Sequence, residues 1–108
     1  MPDKQTNRIL GILGLAKRAG RLKSGEFSTE TLLKSGKAAL VLAARDASDN
    51  TIKKFRDKCR FYHVPFALFG TKEELGHATG TELRSSVAVE DPGFADAILK
   101  LLEEYERN

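Results

Sequence analysis

Apolar positions along the chain come in two rhythms, and the alternation between them predicts the elements. Three short runs are apolar at nearly every position: Ala38-Ala39-Leu40-Val41-Leu42-Ala43-Ala44, Phe66-Ala67-Leu68-Phe69 and Ser86-Val87-Ala88-Val89. Solid runs of this length read as strands buried on both faces, because a half-exposed strand alternates apolar with polar. Between them the spacing turns helical. Ile9, Leu13 and Ala16 share a face, with Leu10 beside them. Ile52, Phe55, Cys59 and Tyr62 fall at i, i+3, i+7 and i+10, and Phe94, Ala97, Ile98, Leu101, Leu102 and Tyr105 make a wide stripe.

Turn and cap residues divide these segments. Thr6 or Asn7 is placed to cap a first helix to about Ala19, which Gly20 stops. Gly11 and Gly14 inside it cost roughly 1 kcal/mol each against Ala, which predicts a close backbone neighbour. Leu22-Lys23-Ser24 is a short extended piece. Gly25 then opens a second helix with Glu26 in its first turn, Phe27, Leu32 and Leu33 turned inward, and Gly36 at its end. Asp46, Ser48 and Asp49 start a third helix over Asn50 to His63, closed by Val64-Pro65. Thr71 and Glu74 form a capping box for a short helix to about Gly80, and Asp91-Pro92 open the last one. Helix and strand alternate throughout, so the pattern predicts an α/β fold: a three-layer α/β/α sandwich with a largely parallel sheet.

Composition adds limits. A chain of 108 residues, 41% hydrophobic, is expected to form one domain over residues 1–108 with an ordinary packed core. No apolar run approaches the ~18 residues that span a bilayer, and the first residues are polar, without a signal core. The expected setting is cytoplasmic, with no membrane partner. Cys59 stands alone, which excludes an internal disulfide and any multi-cysteine zinc site.

Charge changes the picture more. The net +3 conceals a basic half: residues 1–60 carry 14 Lys/Arg against 6 Asp/Glu, and residues 61–108 carry 4 against 9. Four cations (Lys17, Arg18, Arg21 and Lys23) fall within seven residues, more than a helix end requires. An anionic partner follows, nucleic acid before membrane, in preference to scattered solvated lysines.

No catalytic constellation is visible. Cys59 lies on an apolar stripe and reads as core, and His63 and His77 sit near helix ends without ligand-spaced partners. Gly36-Lys37 fails the phosphate-loop pattern, since Thr31 stands where the first Gly belongs and Ala38 where Ser or Thr belongs. A binding module is therefore favoured over an enzyme. Its polar and basic residues gather at the second helix's start and in the loop before the last strand. Ser24, Gly25 and Ser28 leave that helix start open to a phosphate, and Arg45-Asp46 is expected at the same sheet edge.

The order of short motifs along the whole chain also resembles a known family. Gly14-Leu15-Ala16-Lys17-Arg18-Ala19 is followed by Ser24-Gly25-Glu26, Lys37 through Leu42, Asp46-Ala47-Ser48, Asn50-Thr51, Lys53-Lys54 and Asp57-Lys58-Cys59. Tyr62, Val64-Pro65, Leu75-Gly76, Gly80, Ser85 through Val89 and Gly93-Phe94-Ala95 continue it. In these the chain is similar to the ribosomal kink-turn RNA-binding proteins, the L7Ae family, and most to its short bacterial, YlxQ-type branch. The resemblance implies a mixed four-stranded sheet, with the piece at Leu22 as fourth strand. It implies RNA binding (ribosomal or other structured RNA, with the ribosome or ribosomal proteins as further partners) and neither catalysis nor cofactor. It places the RNA at the second helix's start, the loop before the last strand and the loop from Arg45 to Ser48; with the basic residues expected to meet the backbone, the candidate RNA-binding residues are Lys23, Ser24, Gly25, Glu26, Ser28, Thr31, Lys34, Lys37, Arg45, Ser48, Arg84 and Ser85. The alternative on this scaffold is a protein-interaction module. The chain departs from the family's RNA-reading pattern G-x-N-E-x-x-K, ending R-G: Phe27, Ser28, Thr31 and Ser35 replace its Asn, Glu, Lys and Arg. Those are the groups that grip the sheared G·A pairs of a kink-turn.

Overall fold

The computed structural model describes residues 3–107, with the side chains of residues 105–107 excepted. The elements run α1 (Lys4–Arg18), β1 (Leu22–Ser24), α2 (Glu26–Lys34), β2 (Leu40–Ala43), α3 (Asp49–Tyr62), β3 (Phe66–Leu68), α4 (Lys72–Ala78), β4 (Ser86–Val89) and α5 (Pro92–Arg107). The capping box is present, with Thr71 and Glu74 exchanging side-chain and backbone bonds. Gly20 and Gly36 take positive φ of 73° and 77° after α1 and α2, as helix-ending glycines do. The cap of α1 is Asp3, whose carboxylate accepts from Thr6 N–H at 2.8 Å, so the helix starts a turn earlier than Thr6 or Asn7 would place it.

The four strands lie in the order β1-β4-β2-β3. The sheet is mixed, as expected, but two of its three pairings are antiparallel: β4 runs against both β1 and β2, and only β2 and β3 are parallel. The expectation of a largely parallel sheet is corrected there. A buried apolar run carries no sign of direction, and β4 enters between β1 and β2 from the far end.

Alternate residues of the sheet point into two separate cores. Leu22, Leu40, Leu42, Val87 and Val89 pack with Ile9 and Leu13 of α1, Leu75 of α4 and Ile98 of α5. Val41 and Ala88 pack with Leu32 and Leu33 of α2 and Phe55 and Cys59 of α3. This period of two puts helices on both faces, the layering the pattern predicts. β2 and β4 are buried throughout, whereas β3, expected to be buried, is half-buried because it is an edge strand. Ile52, at the start of α3, packs against the first cluster instead of continuing the stripe of Phe55 and Cys59. The side chain of Tyr105 lies outside the described residues. Among the described residues no helix is long and apolar enough to cross a membrane.

Candidate nucleic-acid interface

Three helices begin at one edge of the sheet. β1, β2 and β3 run in one direction, so α2, α3 and α4 all start where those strands end. β4 runs the other way, which brings the loop of residues 79–85 to the same edge. Backbone bonds join the pieces: Gly25 N–H donates to the Ser86 carbonyl at 2.9 Å, Ala44 N–H to Ser85 at 2.9 Å and Arg45 N–H to Gly70 at 2.8 Å. The Asp46 carboxylate accepts from Lys72 N–H at 2.8 Å, and the Thr51 hydroxyl donates to Glu26 at 2.9 Å.

α2 starts from Gly25 at φ 96° and ψ 157°, a combination that only glycine adopts without strain. No side chain caps this helix, and its ladder begins with Thr29 N–H to the Gly25 carbonyl at 3.0 Å. Its first N–H groups therefore face outward. Arg84 lies across this start: its Nε donates to Ser24 Oγ at 3.2 Å and its Nη1 to the Leu83 carbonyl at 2.9 Å. The fold thus brings Ser24, Gly25, Glu26, Arg84 and Ser85 together, as the sequence predicts. Arg45 and Ser48 are exposed on the neighbouring β2–α3 loop, though Ser48 Oγ is engaged in capping α3 through Thr51 N–H at 3.1 Å.

Below that edge α2 has two unlike sides. Facing α3, the Glu30 carboxylate takes Lys54 at 3.1 Å, Lys58 at 3.6 Å and Lys34 at 3.8 Å. A hydrogen bond from Lys54, with the charges of all three lysines, holds Glu30 below the usual carboxylate range. Lys34 is therefore parted from the other predicted cations. The opposite side of α2 borders a groove of about 500 Å³ in which Lys23, Phe27, Ser28, Thr31 and Lys37 meet, with Glu90, itself paired with Arg21 at 3.9 Å, on its wall. Neither Lys23 nor Lys37 has an ion-pair partner among the described residues.

Phe27, expected inward, is 82% exposed. The inward place belongs to Thr29, about 200° round the helix. Thr29 is fully buried and its hydroxyl accepts from Ser86 Oγ at 3.2 Å, which makes burial of the pair tolerable. Three other glycines complete the picture. Gly14 meets the Ala78 carbonyl 3.5 Å from where a Cβ would stand, as expected, while Gly11 meets nothing within 4 Å. At Gly76, named above only within the family resemblance, a methyl would overlap the Glu82 carbonyl and stand 2.8 Å from Leu83 N. Gly76 thus lets α4 support the loop that carries Arg84. A glycine within a seven-residue helix was the available signal.

The remaining candidates are structural in placement. Cys59 is buried, and burial pushes its thiol up to about 11, so it is not poised as a nucleophile. His63 is the left-handed C-cap of α3 at φ 59°. No group of three or more His, Cys, Asp or Glu side chains able to hold a metal occurs among the described residues. A second groove, between α1 and α4, carries Glu73 and Glu74 on its wall and does not suit a phosphate.

The model of the ribosomal protein L7Ae/L30e/S12e/Gadd45 family matches residues 7–99. The chain belongs to this family. It is 44% identical over 92 residues to the RNA-binding protein YlxQ of Bacillus subtilis (strain 168), a match covering 85% of this chain and 92% of that one. With the RNA-binding protein YlxQ of Enterococcus faecium it shares 38% identity over 104 residues, covering 95% and 99%. Among solved structures, a protein of unknown function from Bacillus halodurans C superposes with a TM-score of 0.84 at 36% identity, over 88% of this chain and 96% of that chain. The Giardia lamblia 15.5kD RNA binding protein superposes with a TM-score of 0.80 over 99% and 92%; at 18% identity this is a likeness of fold.

Proposed function

We propose that this protein is a non-catalytic, single-domain, cytoplasmic RNA-binding module that needs no cofactor. It takes structured RNA against the start of α2 and the loops beside it. The observation that carries this reading is the uncapped, glycine-opened start of α2 with Arg84 laid across it, in a chain closely related to proteins named for RNA binding. Outward N–H groups and a positive helix end receive a phosphate, and Arg84 adds a delocalised cation next to them. Lys23, Lys37 and Arg45 extend that contact along the backbone, where affinity is built, while shape is read near Gly25, Ser28 and Thr31.

Because the family's description names ribosomal proteins, ribosomal RNA is the target we propose, with the ribosome as the site of action. A standard kink-turn fits less well. Phe27 offers no polar group to a guanine edge, and the hydroxyls of Thr31 and Ser35 are bonded back to the Phe27 and Leu32 carbonyls at 2.9 and 2.8 Å. The test is a titration of the protein with labelled structured RNA across a salt series. With about four phosphates contacted, log affinity should fall against log salt with a slope of roughly −3 to −4. A kink-turn duplex and its G·A-disrupted control should bind nearly alike. Salt-independent binding, or none at low salt, would sink the RNA reading; strong selectivity for the intact duplex would restore the kink-turn.

A further inference from the structure

We propose that the groove beside Phe27 is a subsite for one unpaired nucleobase, stacked on the Phe27 ring, with its flanking phosphates held by Lys23 and Lys37. The inference rests on the RNA-binding reading above and names what that RNA presents here: an extruded or looped base in place of a base pair.

The ring is the starting point. Phe27 is 82% exposed at the second position of α2, one residue from the Gly25–Glu26 junction. Its helix position fixes it outward, because Thr29, Leu32 and Leu33 occupy the buried arc. A bare aromatic is a costly thing to leave in water, and nothing among the described residues covers it. The surroundings decide among occupants. A protein-binding anchor sits among further apolar contacts that exclude water. Around Phe27 the groove instead presents Lys23, Ser28, Thr31, Ser35, Lys37 and Glu90, with nearly buried Leu32 beneath. Glu90 faces Arg21 at 3.9 Å, so its charge is offset and the ring stands beside hydroxyls and two lysines.

A single nucleotide has the matching parts. Every base has a flat face that stacks on an aromatic ring irrespective of sequence, and the adjacent phosphates need cations on either side. Lys23 on β1 and Lys37 before β2 stand in the same groove and lack ion-pair partners among the described residues. The Ser28 hydroxyl takes no hydrogen-bond partner among the described residues either, which leaves it for the base edge. The groove's volume of about 500 Å³ lies within the range of small-ligand sites.

The test uses the intact chain and three labelled RNA hairpins. They are identical except at one bulge position, which holds an adenosine, an abasic residue or nothing. Wild type should favour the bulged adenosine over the abasic hairpin by roughly 5- to 100-fold, the range for one stacked base. Phe27→Ala and Phe27→Leu should lose that preference and bind all three as wild type binds the abasic one, whereas Phe27→Tyr should keep it. The chain contains two Tyr and no Trp, so Phe27→Trp installs a sole tryptophan, excited to the red of tyrosine, whose emission the bulged adenosine should quench and the abasic hairpin should not. Thermal melts of these variants should coincide, since the side chain is exposed. If Phe27→Leu retains the wild-type preference, or wild type binds both hairpins equally, the subsite is overturned while RNA binding stands. If wild type binds none of them at low salt, the RNA reading falls and takes the subsite with it.

Discussion

The two sides of α2 are built by opposite rules. Facing α3, each charge is answered: Glu30 gathers Lys34, Lys54 and Lys58, and Glu26 takes the Thr51 hydroxyl. Beneath them Leu33, Phe55 and Cys59 close a dry cluster. Facing the groove, an aromatic ring and two lysines stand uncovered, and neither lysine has an ion-pair partner among the described residues. Surface ion pairs contribute little each, so the first side is held mainly by its apolar cluster and the lysines finish it electrostatically. On the second side only Leu32, beneath the groove, belongs to the core, and the exposed groups add little to folding. A helix that completes one face and leaves the other costly and unmatched has the second face available for a ligand.

The sharpest way to break this contrast is to remove one phenylalanine from each side. Phe55 is fully buried, and Phe55→Ala should cost roughly 3–5 kcal/mol through lost burial and a residual cavity. Phe27→Ala should shift stability by less than about 0.5 kcal/mol. Urea denaturation of both variants measures the difference. Similar losses at the two positions would mean that Phe27 is part of the core in solution and that the two sides are not distinct.

The same contrast marks how far the sequence could be read. The elements were legible because solid runs such as Ala38–Ala44 and stripes such as Phe55–Cys59 reflect burial directly. The caps at Gly20, Gly36 and Thr71 were legible because their chemistry is local. Strand direction was not, since an apolar run looks the same from either end. Phe27 was misread inward because its hydrophobicity outweighed its phase. α2 has only nine residues, and counting from Leu32 and Leu33 places Phe27 on the opposite arc. Thr29 hid for the converse reason: a polar residue is buried there only because Ser86, 57 positions away, supplies its hydroxyl partner. Of the predicted site, the set around Gly25 came together through sheet topology. Lys34 went elsewhere, because whether a lysine is free depends on a carboxylate and a neighbouring helix that spacing does not reveal.

Gly25 serves both sides at once, since it fixes where α2 begins. Gly25→Ala would place a Cβ at φ 96° and ψ 157°, at a cost of roughly 1–3 kcal/mol. The cost is conformational: the added methyl would lie 3.7 Å from Arg84 Nε, an ordinary contact. Stability should fall by that amount. RNA binding should weaken further than unfolding explains, because the Ser24–Arg84 bond and the outward N–H groups shift together. Chemical denaturation combined with binding at matched folded fraction separates the two effects. Unchanged affinity of the folded fraction would leave Gly25 a folding residue alone.

The smallest effect tests whether the finished side is also a screened one. Glu30 sits among three lysines whose charge it offsets, so Glu30→Gln removes the anion and leaves Lys34, Lys54 and Lys58 available to phosphates. The variant should bind RNA a few-fold more tightly at low salt, and its log–log salt slope should steepen by about one for each added phosphate contact. The pH arm has a definite sign. The native Glu30 carboxyl is held below its ordinary value of 4.5, chiefly by the Lys54 hydrogen bond. Its contribution to stability is therefore present above 4.5 and is lost as pH falls from there through the lower native value. Wild type should show this decline and Glu30→Gln should lack it, leaving the two most alike at the acid end; the difference will be slight, because the carboxylate is solvated. Acid titration followed by circular dichroism, run beside the salt series, checks both arms. If Glu30→Gln weakens RNA binding, the side facing α3 touches RNA, and the division of α2 into a finished and an open side fails.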